Sequence, residues 1–199
     1  MRQIIKPAAH LGSLIPLGLL IGAVLTHNLS VNPIQDLTLR TGKAALILLV
    51  VSLSVTPAKT ITGWSWLFPA RKICGLYAAF YAFLHFSVFV GLDYFFSWAL
   101  IKQAIAEKPF VLVGFLAFIL LSILAITSTK GWKRRLKKRW KPLHRLVYAV
   151  GILAVIHFLW LVKSDIREPA AYGVVIGVLL LLRLPFVRNF IGELRKVEM

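Results

Sequence analysis

Residues 140–163 read WKPLHRLVYAVGILAVIHFLWLVK. From Leu146 to Val162 there is no charged residue, and His157 is the one ionisable side chain outside the Tyr148 phenol. Extended back to His144, the run approaches the roughly 20 mainly apolar residues that a membrane-crossing helix needs. Directly before it lies KGWKRRLKKRWK, residues 130–141, with eight Lys or Arg and no acid. An apolar run bounded on one side by a dense cationic loop marks both a span and the side from which it starts.

The same pattern recurs along the chain. Six apolar stretches qualify as spans, at about 8–27, 42–57, 73–95, 109–129, 144–162 and 169–187. The second is short, and the sixth carries Arg183 near its far end. Lys43 and Arg183 lie near helix ends, where long cationic side chains are expected to reach the interface. The expected fold is therefore an all-α integral membrane protein, a six-transmembrane helical bundle forming a single domain over residues 1–199. The composition agrees: 59% of the 199 residues are hydrophobic and 16% charged, where soluble domains run at about 25% charged, and mean hydropathy is +0.80. Pro16 interrupts the first span, a kink that membrane helices commonly tolerate.

The charge separates by side. With an even number of spans, both termini share one side. That side holds 18 Lys and Arg against Glu193 and Glu198, and the other holds six Lys and Arg against five acids. Nearly all of the formal net charge of +17 thus falls on one face, which the positive-inside rule makes cytoplasmic. Trp64, Trp66, Trp132 and Trp140 sit at the inner interface, and Trp98 and Trp160 at the outer one. The basic run is then an orientation signal lying against the headgroups of the lipid bilayer. A docking surface for an acidic soluble partner is the alternative, and no feature supports nucleic-acid binding. The N-terminus imitates a signal peptide, but no small-x-small cleavage site follows its apolar run, so it is expected to stay as a helix. The single cysteine, Cys74, excludes an internal disulfide and a paired-cysteine metal site.

Ionisable groups inside a membrane are functional candidates, and here those groups are histidines. His10 and His27 lie near the ends of the first span. His85 follows Lys72, the basic edge of the third span, and His157 follows Pro142, the edge of the fifth, at a closely similar spacing. At a rise of about 1.5 Å per residue, both lie roughly 20 Å from the inner face, on spans running in the same direction. Two imidazoles at one level on spans three and five suit bis-imidazole ligation of one b-type haem iron. An interhelical hydrogen bond and a proton relay are the competing readings. His144 lies on the same span as His157, nearer its basic end, and at their spacing an ideal helix would point the two about 140° apart. A shared face would need a local break after Pro142. There is no His-Glu-x-x-His pattern and no acid at membrane depth, which speaks against a zinc-type site, and nothing supports nucleophilic catalysis.

Several stretches carry a family resemblance: Arg40-Thr41-Gly42, Thr56-Pro57, Arg71-Lys72-Ile73-Cys74-Gly75-Leu76, Tyr81-x3-His85, Lys108-Pro109-Phe110, Thr127-Ser128, Trp140-Lys-Pro-Leu-His144-Arg145-Leu-Val-Tyr148 and His157-Phe-x-Trp160-x2-Lys163. In order over residues 40–163, they resemble MsrQ (YedZ), the family of haem-binding membrane subunits of periplasmic protein-methionine-sulfoxide reductase systems. That family lies within the ferric-reductase-like transmembrane superfamily.

The resemblance implies a bacterial inner-membrane protein with both termini cytoplasmic that binds haem b between spans three and five. It implies His85, His144 and His157 as haem-binding, iron-ligating histidines, with one haem or two. Relatives with two haems carry a second histidine on the third span, before the outer one, at the position where this chain has Arg71. A haem propionate or flavin phosphate is an expected partner for Arg71, Lys72 or Arg145, with ordinary inside-positive flanking as the alternative. Flavin mononucleotide (FMN) is a further cofactor that the resemblance implies. Electrons would come from a cytoplasmic flavin reductase or from quinol. They would pass to MsrP, a periplasmic molybdopterin-containing catalytic subunit that reduces methionine sulfoxide in oxidised proteins. The chain would be the electron-transfer subunit rather than the catalytic one. A membrane ferric or quinone reductase with another acceptor, and a small proton-coupled transporter, are the other function classes. The second has little support, because paired broken spans are missing.

Overall fold

The computed structural model describes residues 3–162 and 164–197. Arg2, Lys163 and Glu198, used above in the charge count and in one motif, lie outside the described residues. Among the described residues every regular element is helical. Four helices are long and apolar enough to cross a membrane, or six if each of two bent pairs forms one span.

Helix α1, Ile5–Leu25, begins the chain. Helix α2, Pro33–Thr62, is far longer than the short second span expected from the charge pattern. Its start is set by Asn32, whose side chain accepts from the Gln35 N–H, and by Pro33, whose fixed φ suits the first helical position. An Asp36–Arg40 pair one turn apart at 2.8 Å supports the added turns. Gly63, at φ 78°, ends the helix in the left-handed conformation that glycine adopts at little cost.

Helix α3, Phe68–Ser87, runs on into a π-helical turn, Val88–Asp93, just beyond His85. The connection between the third and fourth spans is not a plain loop: α4, Trp98–Glu107, is capped by Ser97. Helix α5, Pro109–Ile126, follows directly. The basic run is also mostly helical, as α6, Lys130–Leu136, and α7, Trp140–His144. A bend of 44° separates this arm from α8, Val147–Leu161. Helix α9, Arg167–Leu181, and α10, Pro185–Val197, meet at 68°, so the expected sixth span turns before its end.

Two helix pairs organise the bundle: α2 lies along α3, and α5 lies along α8. Leu48, Leu49 and Leu53 of α2 pack with Ala78 and Tyr81 of α3, Leu121 and Leu124 of α5, and Val150 of α8. Between membrane helices such fit, rather than exclusion of water, supplies much of the association. Phe86 stacks on Phe118 with centroids 4.6 Å apart and on Phe115 at 5.8 Å, which clamps α3 to α5. The apolar residues of α1, such as Leu11, Ile15, Leu19 and Leu25, stay largely exposed on its surface, as suits a helix bathed in lipid.

One polar wedge ties α1 to this core. Pro16 lies inside α1. Beside it the Tyr81 hydroxyl donates to Ser13 O at 2.8 Å and accepts from the Leu17 N–H at 2.9 Å. It has inserted into a single helical i→i−4 bond, one of the recognised causes of a helix kink. Tyr81 is 1% exposed and fills the gap with its ring. Tyr81→Phe removes the bridge and is expected to lower stability by about 1–3 kcal/mol, the usual cost of stranding buried polar groups. Thermal unfolding of the purified variant checks this, and unchanged stability would mean that the wedge is idle.

Candidate functional site

His85 and His157, expected at one depth, stand side by side. Their ring centroids are 6.1 Å apart and their planes cross at 87°. Each ring is held by its Nδ1. His85 Nδ1 is 2.9 Å from the carbonyl oxygen of Thr38 on α2, and His157 Nδ1 is 2.8 Å from that of Phe110 on α5. A carbonyl only accepts, so each Nδ1 carries the proton and donates it. In a neutral imidazole the other nitrogen, Nε2, then keeps a free lone pair. This is the tautomer required of an Nε2 metal ligand, with the opposite N–H fixed by a backbone oxygen.

Such close approach of a ring to a helix backbone needs a missing side chain. One turn past each carbonyl stands a glycine. A Cβ at Gly42 would lie 3.1 Å from His85 Nδ1, and one at Gly114 would lie 2.6 Å from both Nδ1 and Cε1 of His157. The two half-sites share one pattern: a carbonyl, a glycine one turn later, and a histidine 47 residues after the carbonyl. The second copy repeats the first at one constant offset, from Thr38 to Phe110, from Gly42 to Gly114 and from His85 to His157. Pro109 at the start of α5 helps to set Phe110 in place.

Among the described residues there is no cluster of three or more His, Cys, Asp or Glu that could hold a metal ion alone. Two imidazoles suffice where a macrocycle supplies the other donors, as in haem iron with two axial histidines. The donor set therefore fits a haem iron.

The other expected site residues lie elsewhere. His144 ends α7, just before the 44° bend. Its Nε2 is 3.1 Å from Thr127 Oγ1, and its ring stacks on Trp140 with centroids 4.0 Å apart. Trp140 Nε1 in turn donates to the Thr127 carbonyl at 2.9 Å. The Thr127 hydroxyl gives its own proton to Ile123 O at 2.7 Å, so it accepts from His144. His144 thus uses Nε2 within the bundle, unlike the other two histidines.

Arg71 Nη1 donates to Thr56 Oγ1 at 3.3 Å. Arg145 is exposed at the break before α8. Arg183, expected to reach outward to the interface, turns inward: it donates to the Tyr148 hydroxyl at 2.9 Å and to the Leu53 carbonyl. Lys43, at the opposite end, pairs with Glu168 at 2.7 Å.

This arrangement is embedded in a recognisable chain. Residues 41–168 match the model of the ferric reductase like transmembrane component. A protein of Xanthomonas axonopodis pv. citri is 44% identical over 181 residues, covering 88% of this chain and 83% of its own length. One from Xanthomonas campestris pv. campestris is 48% identical over 152 residues, covering 76% and 70%. One from Herminiimonas arsenicoxydans is 42% identical over 183 residues, covering 90% and 84%. The chain belongs to the MsrQ family. All three relatives carry the name protein-methionine-sulfoxide reductase heme-binding subunit MsrQ. The ferric-reductase-like segment contains all three candidate histidines as well as Arg71 and Arg145, while Thr38 and Arg183 lie beyond its two ends.

Proposed function

We propose that this chain is the haem-binding membrane subunit of a protein-methionine-sulfoxide reductase system. His85 and His157 would be the two axial ligands of a b-type haem. The observation that supports this most is the matched state of the two neighbouring rings, each with Nδ1–H spent on a backbone carbonyl and Nε2 left free. A bound haem would supply a one-electron carrier within the apolar bundle. The chain's own residues do the rest. The Thr38 and Phe110 carbonyls fix the tautomer, orient the rings and raise their basicity, and Gly42 and Gly114 leave room for them.

In this reading the protein lies in the bacterial inner membrane with both termini and the basic arm cytoplasmic. Electrons enter from a cytoplasmic flavin reductase or from quinol. They leave to the periplasmic molybdopterin subunit MsrP, which repairs oxidised methionine in proteins. The charge distribution supports the orientation, and the names of the relatives support the system. His144 and Arg71, both toward the basic ends of their spans, are the residues available to a second haem or to FMN. Reading Nε2 of His144 as an iron ligand would require it to give up Thr127.

A reduced-minus-oxidised absorption spectrum of the purified protein, made with ample haem, tests the proposal. Sharp b-type bands are expected, and a colourless, folded protein would rule it out. A membrane ferric or quinone reductase would give the same spectrum but would not be re-oxidised by the periplasmic subunit.

A further inference from the structure

The basic arm between α5 and α8 is the most densely charged stretch of the chain, and the proposed haem site makes no use of it. Its eight Lys and Arg, from Lys130 to Lys141, are all exposed. The salt bridges among the described residues, Asp36–Arg40, Lys43–Glu168 and Asp165–Arg167, include none of them.

Two hollows open on this arm. One, of about 480 Å³, is lined by Thr129, Gly131, Trp132, Arg134 and Arg135. The other, of about 470 Å³, is lined by Lys133, Lys137, Lys138, Trp140 and Lys141. Each joins one tryptophan to at least two cations, with no acid in the lining. In each a cation also lies over the indole: Arg135 at 5.6 Å from the Trp132 ring, and Lys133 at 5.3 Å from the Trp140 ring. The arm breaks between α6 and α7 at Lys137, whose φ of 44° is uncommon for a residue with a side chain. Trp140 is fixed from the other side, by its bond to the Thr127 carbonyl and its stack on His144.

The position of the arm names the occupant. Only Thr127–Thr129 join it to α5, and only Arg145 and Leu146 join it to α8. Three extended residues reach about 10 Å, so the arm stays at the membrane surface where its two spans end. Trp132, Leu136 and Trp140 recur every four residues among the cations, the composition of a helix that lies in the bilayer interface. The anions nearest to such a helix are lipid phosphates.

We infer that the two hollows bind the phosphates of anionic phospholipids of the leaflet on which the arm lies, one headgroup in each. The cations would attract the phosphate, and the indole would pack on the glycerol and upper acyl chain. A zwitterionic headgroup is disfavoured, because its own cation would enter a field of eight others. The second hollow shares Trp140 with the His144 stack, so its lipid would also steady the junction of the arm with α8. None of this depends on haem.

The test uses the full-length protein in neutral detergent, titrated with phosphatidylglycerol or phosphatidylcholine and read by native mass spectrometry. Two phosphatidylglycerol molecules are expected to bind the parent in preference to phosphatidylcholine. Arg134→Gln with Arg135→Gln should weaken one binding step, and Lys137→Gln with Lys141→Gln the other. Each loss should be roughly thirtyfold, the effect of two cations at an anionic surface. Lys102→Gln with Arg167→Gln removes the same charge from the opposite side and should change neither step. Equal weakening by this control pair would reduce the effect to net charge and overturn the two sites. So would a parent that binds both lipids alike. Inorganic phosphate, at an ionic strength matched with chloride, should not displace the lipid; displacement would make the hollows sites for a free anion. Hydrogen exchange of residues 130–141 in the parent needs no variant to fold. It should slow in nanodiscs containing phosphatidylglycerol relative to phosphatidylcholine discs, and the difference should shrink with salt. Identical exchange in the two discs would overturn the lipid assignment and leave the arm to an acidic soluble protein.

Discussion

Replacing either His85 or His157 by alanine is expected to abolish the b-type absorption bands of the reduced protein. On the proposed reading each ring would hold one side of the iron, and among the described residues no other His, Cys, Asp or Glu is grouped nearby to take its place. Iron held by the surviving histidine alone would change spin state, shift its bands and be readily lost on purification. The loss should be equal for the two variants, because the half-sites are built alike, and it should be selective. A pair that merely bridged helices would leave the spectrum intact when cut to alanine, and stability alone would fall. Difference spectra and haem-to-protein ratios on the two variants separate these outcomes. Full haem content in both would show that the iron is bound elsewhere.

The second large effect is predicted at a glycine. Alanine normally stabilises a helix relative to glycine, by about 1 kcal/mol. At Gly114 the sign should reverse. The added methyl would sit 2.6 Å from two ring atoms of His157, a distance that forces the ring or the helix to move. The ring is tethered to Phe110 O at 2.8 Å, so its displacement breaks the bond that fixes its tautomer. Overpacking of this kind costs about 1–3 kcal/mol, and here it falls on a proposed haem ligand.

Gly114→Ala is accordingly expected to lose haem or to shift its potential strongly. Gly42→Ala, with a contact of 3.1 Å to His85 Nδ1, should be milder. Gly18→Ala, with nothing within 4 Å, should leave the spectrum unchanged and raise stability slightly. Haem occupancy and midpoint potential, measured side by side for the three, give the order. Equal behaviour of all three would show that the glycines serve only packing.

These glycines illustrate what was legible in advance. The histidines were found because depth in a membrane follows from residue count, at a constant rise per residue from a charged edge. Their hydrogen-bond partners were not, since main-chain carbonyls carry no signature in a residue pattern. The equal offsets from Gly42 to Gly114 and from His85 to His157 were a signal available in the chain. They are longer than the periods that mark repeat architectures. Arg183 was misplaced for a related reason. A cation near the end of an apolar stretch ordinarily reaches outward. Here the missing N–H of Pro57, far earlier in the chain, leaves a carbonyl that draws it inward. The connection before the fourth span shows no clear helical pattern because its mixed charges hide α4, which Ser97 caps.

By itself the sequence determined that this is a helical membrane protein. It also determined which end of each span is basic and that His85 and His157 lie at one depth. Those properties depend on hydropathy, charge and helical rise, all local to the chain. Only the tertiary structure decided that the two rings stand side by side with Nε2 free, that His144 is engaged by Thr127, and that Arg71 and Arg183 meet α2 at Thr56 and at Leu53. Direction around a helix axis and the pairing of α2 with α3 and α5 with α8 are settled by side-chain packing between distant segments. No local count of residues contains that information.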